Sequence, residues 1–325
     1  MNSQKTVLVT GASGGIGGAI AAALLRHGWR VRGMARSIPA NAAGIEWVKG
    51  DAMTRADVVQ AATGVSMIVH AVNPAGYRNW DKLVLPMIDN TIAAARAAGG
   101  ARVVLPGTIY NFDPARTPVI GATSPQEPQS RKGSIRVAME KRLEDAAPDV
   151  PSLILRAGDF FGLASRSSWF AQAMVTPNKP LVRIINPARG AGHSWAYLPD
   201  LAETFARLMD AEERLLPFER VQFQGLYDAT GTVMTDALRR VAGRNVPIWG
   251  FPWWLMRLAA PFGSFPREVS EIAQYWRHSV RLDNRRLVEL IGAEPHTQID
   301  QAVRASLVSL GCLEPEPKLL AAKLA

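Results

Sequence analysis

Cysteine is almost absent from this 325-residue chain, Cys312 being the only one. One thiol cannot form an internal disulfide or a cysteine-built zinc site, so a reducing, cytoplasmic setting is expected. No uninterrupted apolar run approaches the roughly 20 residues that a membrane span needs. The opening MNSQKTVLVTGASGG passes from a short polar lead into a strand pattern, without a signal peptide's apolar stretch. Acidic residues are in deficit: 28 Asp+Glu face 37 Lys+Arg, a formal net charge of +9. The basic residues are mostly Arg and scattered, with concentrations around residues 131–142 and 277–286. No C2H2 spacing, aromatic RNA-binding signature or basic tail accompanies them, so nucleic acid is not an expected partner. The excess reads as solvated helix faces plus a site for an anionic ligand. Five dispersed His lack His-x-x-x-His spacing, and no metal site is expected. Tyrosine is also scarce, with five in the chain.

What is present is a globular composition, 48% hydrophobic against 20% charged, and length enough for a large core with a smaller lobe. Through about residue 160, short β-branched apolar runs alternate with helical patterns, which predicts an α/β fold with a Rossmann-type doubly wound parallel sheet. Strands are expected at 6–9, 30–35, 46–49, 67–70, 102–105 and 152–156, and helices at 19–26, 83–98 and 134–147. Residues 111–133, rich in Pro, Ser, Thr and Gly, read as a loop. Beyond Gly162 the alternation becomes irregular, and from Gly231 the chain turns helical and Trp-rich. The expected division is a Rossmann domain over 1–165 with a returning segment near 195–225. The remainder, 166–194 and 226–325, forms a smaller, mainly helical substrate lobe.

The strongest local signal is Val7-Leu8-Val9-Thr10-Gly11-Ala12-Ser13-Gly14-Gly15-Ile16-Gly17, a strand, a Gly-rich turn and a helix start. Gly11 suits the tight turn, and the following Gly residues let the backbone approach a pyrophosphate. The helix N-terminus adds free N–H groups and the positive end of a dipole. The second strand, Val31-Arg32-Gly33-Met34-Ala35-Arg36-Ser37, carries no acid for a ribose 2′-OH. Arg36 instead suits a 2′-phosphate, with Ser13 adding a hydroxyl. NADP(H) is therefore the preferred expected cofactor, with NAD(H) open.

These residues resemble the short-chain dehydrogenase/reductases, in their extended or atypical branch of epimerase/dehydratase-like proteins. Further stretches extend the resemblance over roughly residues 5–225: Gly50-Asp51, Ile68-Val69-His70-Ala71, the run from Leu155 through Arg156 to Gly162, and Ala196-Tyr197-Leu198-Pro199-Asp200-Leu201-Ala202. The resemblance implies a cofactor held by Gly11, Ser13, Gly14, Gly15, Ile16, Gly17, Arg36, Asp51, Ala52 and Ala71, with Asp51 at the adenine.

The same resemblance implies a Tyr and a Lys one helical turn apart, the Tyr exchanging a proton with the substrate oxygen and the Lys holding the ribose. The residues four after Tyr77, Tyr110, Tyr197, Tyr227 and Tyr275 are Asp81, Pro114, Leu201, Gly231 and Ser279, so the motif is missing. Aligned on the helix, Lys132 replaces the Tyr and Arg136 the Lys. Arg136 keeps the charge but does not titrate usefully, and an unperturbed Lys titrates near ~10.4. Thr108 ends a strand where the substrate oxygen is expected, and Tyr110 is the one Tyr close to that strand end. The catalytic candidates are thus Thr108, Tyr110, Lys132 and Arg136. His70 reads as packing, and His193 lies in a Gly-rich loop placed beside the substrate in similar proteins.

Tyr77, Arg78 and Trp80 follow the fourth strand at its ligand-binding edge. A second aromatic group comprises Phe160, Phe161, Trp169 and Phe170, and residues 247–256 are denser still. Lobe core, apolar pocket, and membrane or partner surface are the competing readings of that last segment. The leading expectation is oxidoreduction at a carbonyl or alcohol carbon of an apolar or aromatic small molecule. A catalytically quiet NAD(P)-binding sensor and an epimerase/dehydratase are the alternatives, and a homodimer is left open.

Overall fold

The alternating pattern folds into a seven-stranded parallel sheet flanked by helices. A computed structural model describes residues 5–74, 79–163, 165, 168–188 and 190–315. The first strands are β1 (Thr6–Thr10), β2 (Arg30–Ala35), β3 (Glu46–Lys49), β4 (Met67–His70) and β5 (Arg102–Gly107), followed by the short β6 (Val119–Ile120) and by β7 (Ser152–Arg156). After β8 (Asp159–Phe161), β9 (Ile184–Asn186) and β10 (His193–Tyr197), β11 (Phe218–Gln222) returns to the main sheet, whose order is β3-β2-β1-β4-β5-β7-β11. Strand order reverses between β1 and β4, and such a switch point opens a crevice at the carboxyl ends of the strands.

Strand periodicity explains why both faces are covered. Val7 and Val9 of β1, Met67 and Val69 of β4, and Leu153 and Leu155 of β7 face one core; Leu8, Ile68 and Ile154 face the other. The first core is closed by α1 (Gly15–Arg26) and α5 (Leu198–Asp210), the second by α2 (Arg55–Ala61), α3 (Trp80–Ala97) and α4 (Arg131–Ala146). All three of the expected helices begin about one turn earlier than the sequence suggests, α1 at Gly15, α3 at Trp80 and α4 at Arg131. Ser130 caps α4 by accepting a 3.0 Å hydrogen bond from the Gly133 amide, so Lys132 lies inside the helix. Helix α3 starts at Trp80 and carries Pro86 within its first two turns.

The second lobe holds α6 (Val233–Ala242), α7 (Trp253–Ala259), α8 (Ser264–Ile272) and α10 (Ile299–Ser309), whereas α9 (Arg285–Ile291) packs on the first core of the sheet. It also contains short sheets: β8 and β10 with β12 (Leu226–Asp228), and β9 with β13 (Ile248–Gly250). A further strand, β14 (Arg281–Leu282), pairs with β6 and so pins the expected 111–133 loop to this lobe. Phe161, Phe170, Trp253 and Trp276 are core here, and Trp169 sits between Phe251, Trp253 and Trp276 at centroid distances of 5.2 to 5.6 Å. Trp249 and Trp254 are exposed. The aromatic density is therefore divided between lobe core and surface.

Helices α1 and α5 are tied at their ends by His27. Its Nδ1 lies 2.5 Å from Asp210 Oδ2, and its Nε2 lies 3.2 Å from both Glu203 oxygens. Partial burial works to lower the His27 pKa, but the hydrogen bonds and charges of Asp210 and Glu203 outweigh it, leaving a net rise. The resulting stability is complete below the unfolded value of about 6.5 and is lost as pH rises through the higher folded value. His27→Gln should therefore lower Tm more at about pH 5.5 than at about pH 9. A deficit that is equal or larger at alkaline pH would contradict this tie.

Candidate dinucleotide site

The turn after β1 is shaped by two glycines that tolerate no side chain. Gly11 has φ +80°, and a Cβ there would lie 2.7 Å from the Ala71 carbonyl; one on Gly17 would lie 2.2 Å from the Gly11 carbonyl oxygen. This close approach joins the loop after β1 to the loop after β4 across the switch point. Helix α1 begins without a side-chain cap and without an acid in its first turn. Its first amides are thus left for an anion, with Ser13 and Gly14 exposed and Gly15 and Ile16 half-buried beside them. A cradle with no room for a Cβ and a helix start free of acid fit a pyrophosphate.

Arg36 is exposed one residue beyond β2 and has no carboxylate partner among the described residues. Asp51 is half-buried; its Oδ1 accepts the Met53 amide at 2.9 Å, while its own amide donates to Asp57 Oδ2 at 2.8 Å. The buried Ala52 carbonyl accepts Asn90 Nδ2 at 3.0 Å, and the Ala71 amide donates to the Thr10 carbonyl at 3.0 Å. These groups line the same carboxyl edge of β1, β2, β3 and β4.

Beside that edge, a buried network fixes the end of β5. The Arg156 guanidinium grips Glu140 through two parallel bonds of 2.6 and 2.5 Å, with side chains 1% and 4% exposed. Asn111 Nδ2 and Gln126 Nε2 each donate to Glu140 at 2.8 Å, and Arg156 reaches the Thr108 carbonyl at 3.3 Å. The Arg156 fork also lies 5.0 Å from the Phe112 ring centroid. Thr108 Oγ1 accepts the Tyr110 amide at 3.2 Å and lies 3.5 Å from Asn111 Oδ1. Arg156 stood in a recognised motif and Glu140 in the aligned helix, yet their pairing was missed because nothing in the local spacing announces it.

The expected acid–base candidates are placed very differently. Lys132 is buried; its Nζ contacts the Glu268 carboxylate and lies 2.5 Å from Glu271 Oε2, and its amide donates to Glu271 Oε1 at 2.9 Å. Both acids come from α8, so this lysine clamps the second lobe onto α4. Tyr110 is only 8% exposed and packs 5.1 Å from Tyr275, whose hydroxyl donates to the Tyr110 and Phe112 carbonyls at 2.9 and 3.0 Å. Burial pushes the Tyr275 phenol well above the usual tyrosine range.

Arg136 stays at the cofactor edge. Its Nη2 is 3.5 Å from Asn73 Oδ1 and its guanidinium is 4.9 Å from the buried Trp80 ring centroid. Burial, reinforced by the Arg136 charge, depresses the nearby His70 to about 3, so His70 is neutral and bonds Thr91 at 2.7 Å. His193 Nε2 lies 2.8 Å from Asp159 Oδ2, and its ring stacks on Trp276 at 3.7 Å, so it is held inside the second lobe. Tyr77 and Arg78 lie outside the described residues. No metal-ligand cluster occurs among the described residues, and no helix among them is long and apolar enough to cross a membrane.

Residues 11–140 match the family described as NAD(P)H-binding. No match was found among curated proteins. The fold is similar to that of UDP-glucose 4-epimerase from Bifidobacterium longum in complex with NAD+ and UDP, with a TM-score of 0.71, 14% identity, and coverage of 95% of this chain and 100% of that one. It is equally similar to UDP-glucuronic acid 4-epimerase from Bacillus cereus in complex with NAD, at a TM-score of 0.72 and 15% identity, covering 95% of this chain and 100% of that one. A nucleoside-diphosphate-sugar epimerase from Pseudomonas aeruginosa gives a TM-score of 0.72 at 15% identity, over 94% of this chain and 97% of that one. Residues 11–140 thus match an NAD(P)H-binding family, and the chain as a whole has the Rossmann-type fold of these epimerases, in line with the resemblance in its sequence.

The Arg156–Glu140 pair yields a stability test. Arg156→Met leaves Glu140 buried without its cation, and should cost about 3–5 kcal/mol in urea unfolding. A loss under about 1 kcal/mol would show that the network does not hold the β5 end.

Proposed function

We propose that the protein is an NADP(H)-dependent oxidoreductase acting at a carbonyl or alcohol carbon of an apolar small molecule. The observation that carries this reading is the convergence of the Gly11–Gly17 cradle, Arg36, Thr108 and Arg136 on one carboxyl edge of the sheet. The bound nicotinamide would supply or accept the hydride. Gly11, Ser13, Gly14, Gly15, Ile16 and Gly17 hold the pyrophosphate, Asp51, Ala52 and Ala71 frame the adenosine half, and Arg36 binds the 2′-phosphate. Arg136 holds the ribose with its fixed charge. Thr108 Oγ1 binds the substrate oxygen, and water relays the proton through it.

Lys132 is removed from acid–base work in this reading, because its ammonium is enclosed by Glu268 and Glu271. Tyr110 is a packing residue. The apolar character of the substrate rests on half-buried Trp169, which borders the Tyr110 cluster. That same lysine clamp favours a second reading, a catalytically quiet NAD(P)-binding sensor. The epimerases with this fold suggest nucleotide-sugar chemistry as well, but in this chain Lys132 occupies the aligned position of the proton-transferring Tyr.

A carbonyl panel with NADPH separates the readings. Turnover, lowered about a hundredfold in kcat/KM by Thr108→Val, supports the enzyme. Tight NADPH binding with no turnover across aldehydes and ketones supports the sensor and overturns the oxidoreductase. Arg36→Ala should weaken NADPH by roughly 10- to 100-fold, the loss of a charge-assisted contact, while NADH changes less than about threefold. Equal losses for the two would overturn the NADP(H) preference.

A further inference from the structure

The second lobe carries an apolar stripe that its core does not use. Trp254, Leu258 and Phe262 follow at four-residue spacing along α7 and the turn after it, and are 62%, 65% and 91% exposed. Leu255 lies beside them, also exposed, and Trp249 on β13 is 61% exposed. The stripe is held firmly from behind. Trp253 is buried and donates its Nε1 hydrogen to the Pro187 carbonyl at 2.9 Å, while the Phe251 amide donates to the Asn186 carbonyl at 3.0 Å. An isolated exposed Leu needs no explanation, but a contiguous Trp, Leu and Phe surface does.

Charge indicates what covers it. The sequence has no Asp or Glu between Asp236 and Glu268, and none between Asp159 and Asp200. These two acid-free stretches meet through the β9–β13 pairing, with Ile184 opposite Ile248 and Trp249 opposite Ile185. Lys179, Arg183, Arg257 and Arg267 are exposed on them, and none has a carboxylate partner among the described residues. Together the two stretches carry nine Lys and Arg and no acid. A second copy of the chain is a poor occupant, because a two-fold contact would set like charges against each other. Indole and aliphatic side chains flanked by Arg and Lys match the headgroup boundary of an anionic bilayer.

We propose that α7 and its following turn form a peripheral membrane-docking surface, with Trp249, Trp254, Leu258 and Phe262 entering the headgroup boundary and Arg257, Arg267, Arg183 and Lys179 meeting anionic phospholipid. The proposal is independent of the cofactor and of any catalytic reading.

Vesicle flotation of the full chain tests it. The protein should float with phosphatidylcholine vesicles containing phosphatidylserine, bind at least about tenfold more weakly to phosphatidylcholine alone, and be released by salt. Its Trp emission should shift to shorter wavelength on binding. The triple variant Trp254→Ser, Leu258→Ser, Phe262→Ser should lose flotation. Arg257→Glu with Arg267→Glu, which leaves the apolar residues intact, should reduce anionic-vesicle binding at least about tenfold. NADPH titration and thermal melting confirm that each variant is folded. Absence of flotation by the wild-type chain, or variants that float as it does, would overturn the proposal. So would a wild-type dimer that the triple variant converts to monomer without any vesicle binding, since the stripe would then be a self-interface.

Discussion

The buried pairing of Arg156 with Glu140 holds the site together. It joins the end of β7 to the middle of α4 and, through Asn111, Gln126 and the Thr108 carbonyl, to the chain leaving β5. A charge pair this deeply buried depends on filling its remaining hydrogen-bond capacity; two amide side chains do so on the carboxylate, while the buried Arg156 Nε has no partner among the described residues. The network therefore dictates where the β5 end can lie, and with it the position of Thr108 relative to the cofactor edge.

A second ionic cluster, about two turns earlier on α4, has a different consequence. Lys132 binds two acids of α8 and draws the second lobe against the site. At the position where the sequence resemblance leads one to expect a titrating phenol, α4 carries this buried lysine. In the proposed reading, cofactor binding and proton transfer rest on different parts of the chain: the first on glycines and a helix start near the N-terminus, the second on a helix face that here is used for the lobe clamp.

The legibility of these features follows their sequence separation. The nucleotide loop was readable because its glycine spacing lies within one turn, where Gly17 meets the Gly11 carbonyl, although the contact that constrains Gly11, with Ala71, comes from sixty residues away. The central sheet was readable because period-two patterns and turn residues recur along the chain. Lys132 could be aligned but not interpreted, since its partners lie more than 130 residues away on a helix that carries no motif. Tyr110 looked available from its place near a strand end, but its neighbours Tyr275 and Ile272 arrive from the last quarter of the chain. The Trp-rich segment was ambiguous because α7 has only seven residues, too few for periodicity to separate buried Trp253 from exposed Trp254. The early start of α4 turns on Ser130, whose cap is a single side-chain contact.

The Gly11–Gly17 turn has the shape of a dinucleotide cradle although the expected proton-transferring Tyr is missing from α4. The most direct test of that cradle is a fluorescence titration with NADPH of the wild-type chain and of Gly17→Val, whose side chain would collide with the Gly11 carbonyl. The account predicts saturable one-to-one binding by the wild type and its loss in the folded variant. Undiminished binding by Gly17→Val, or no saturable binding by the wild type, would contradict it.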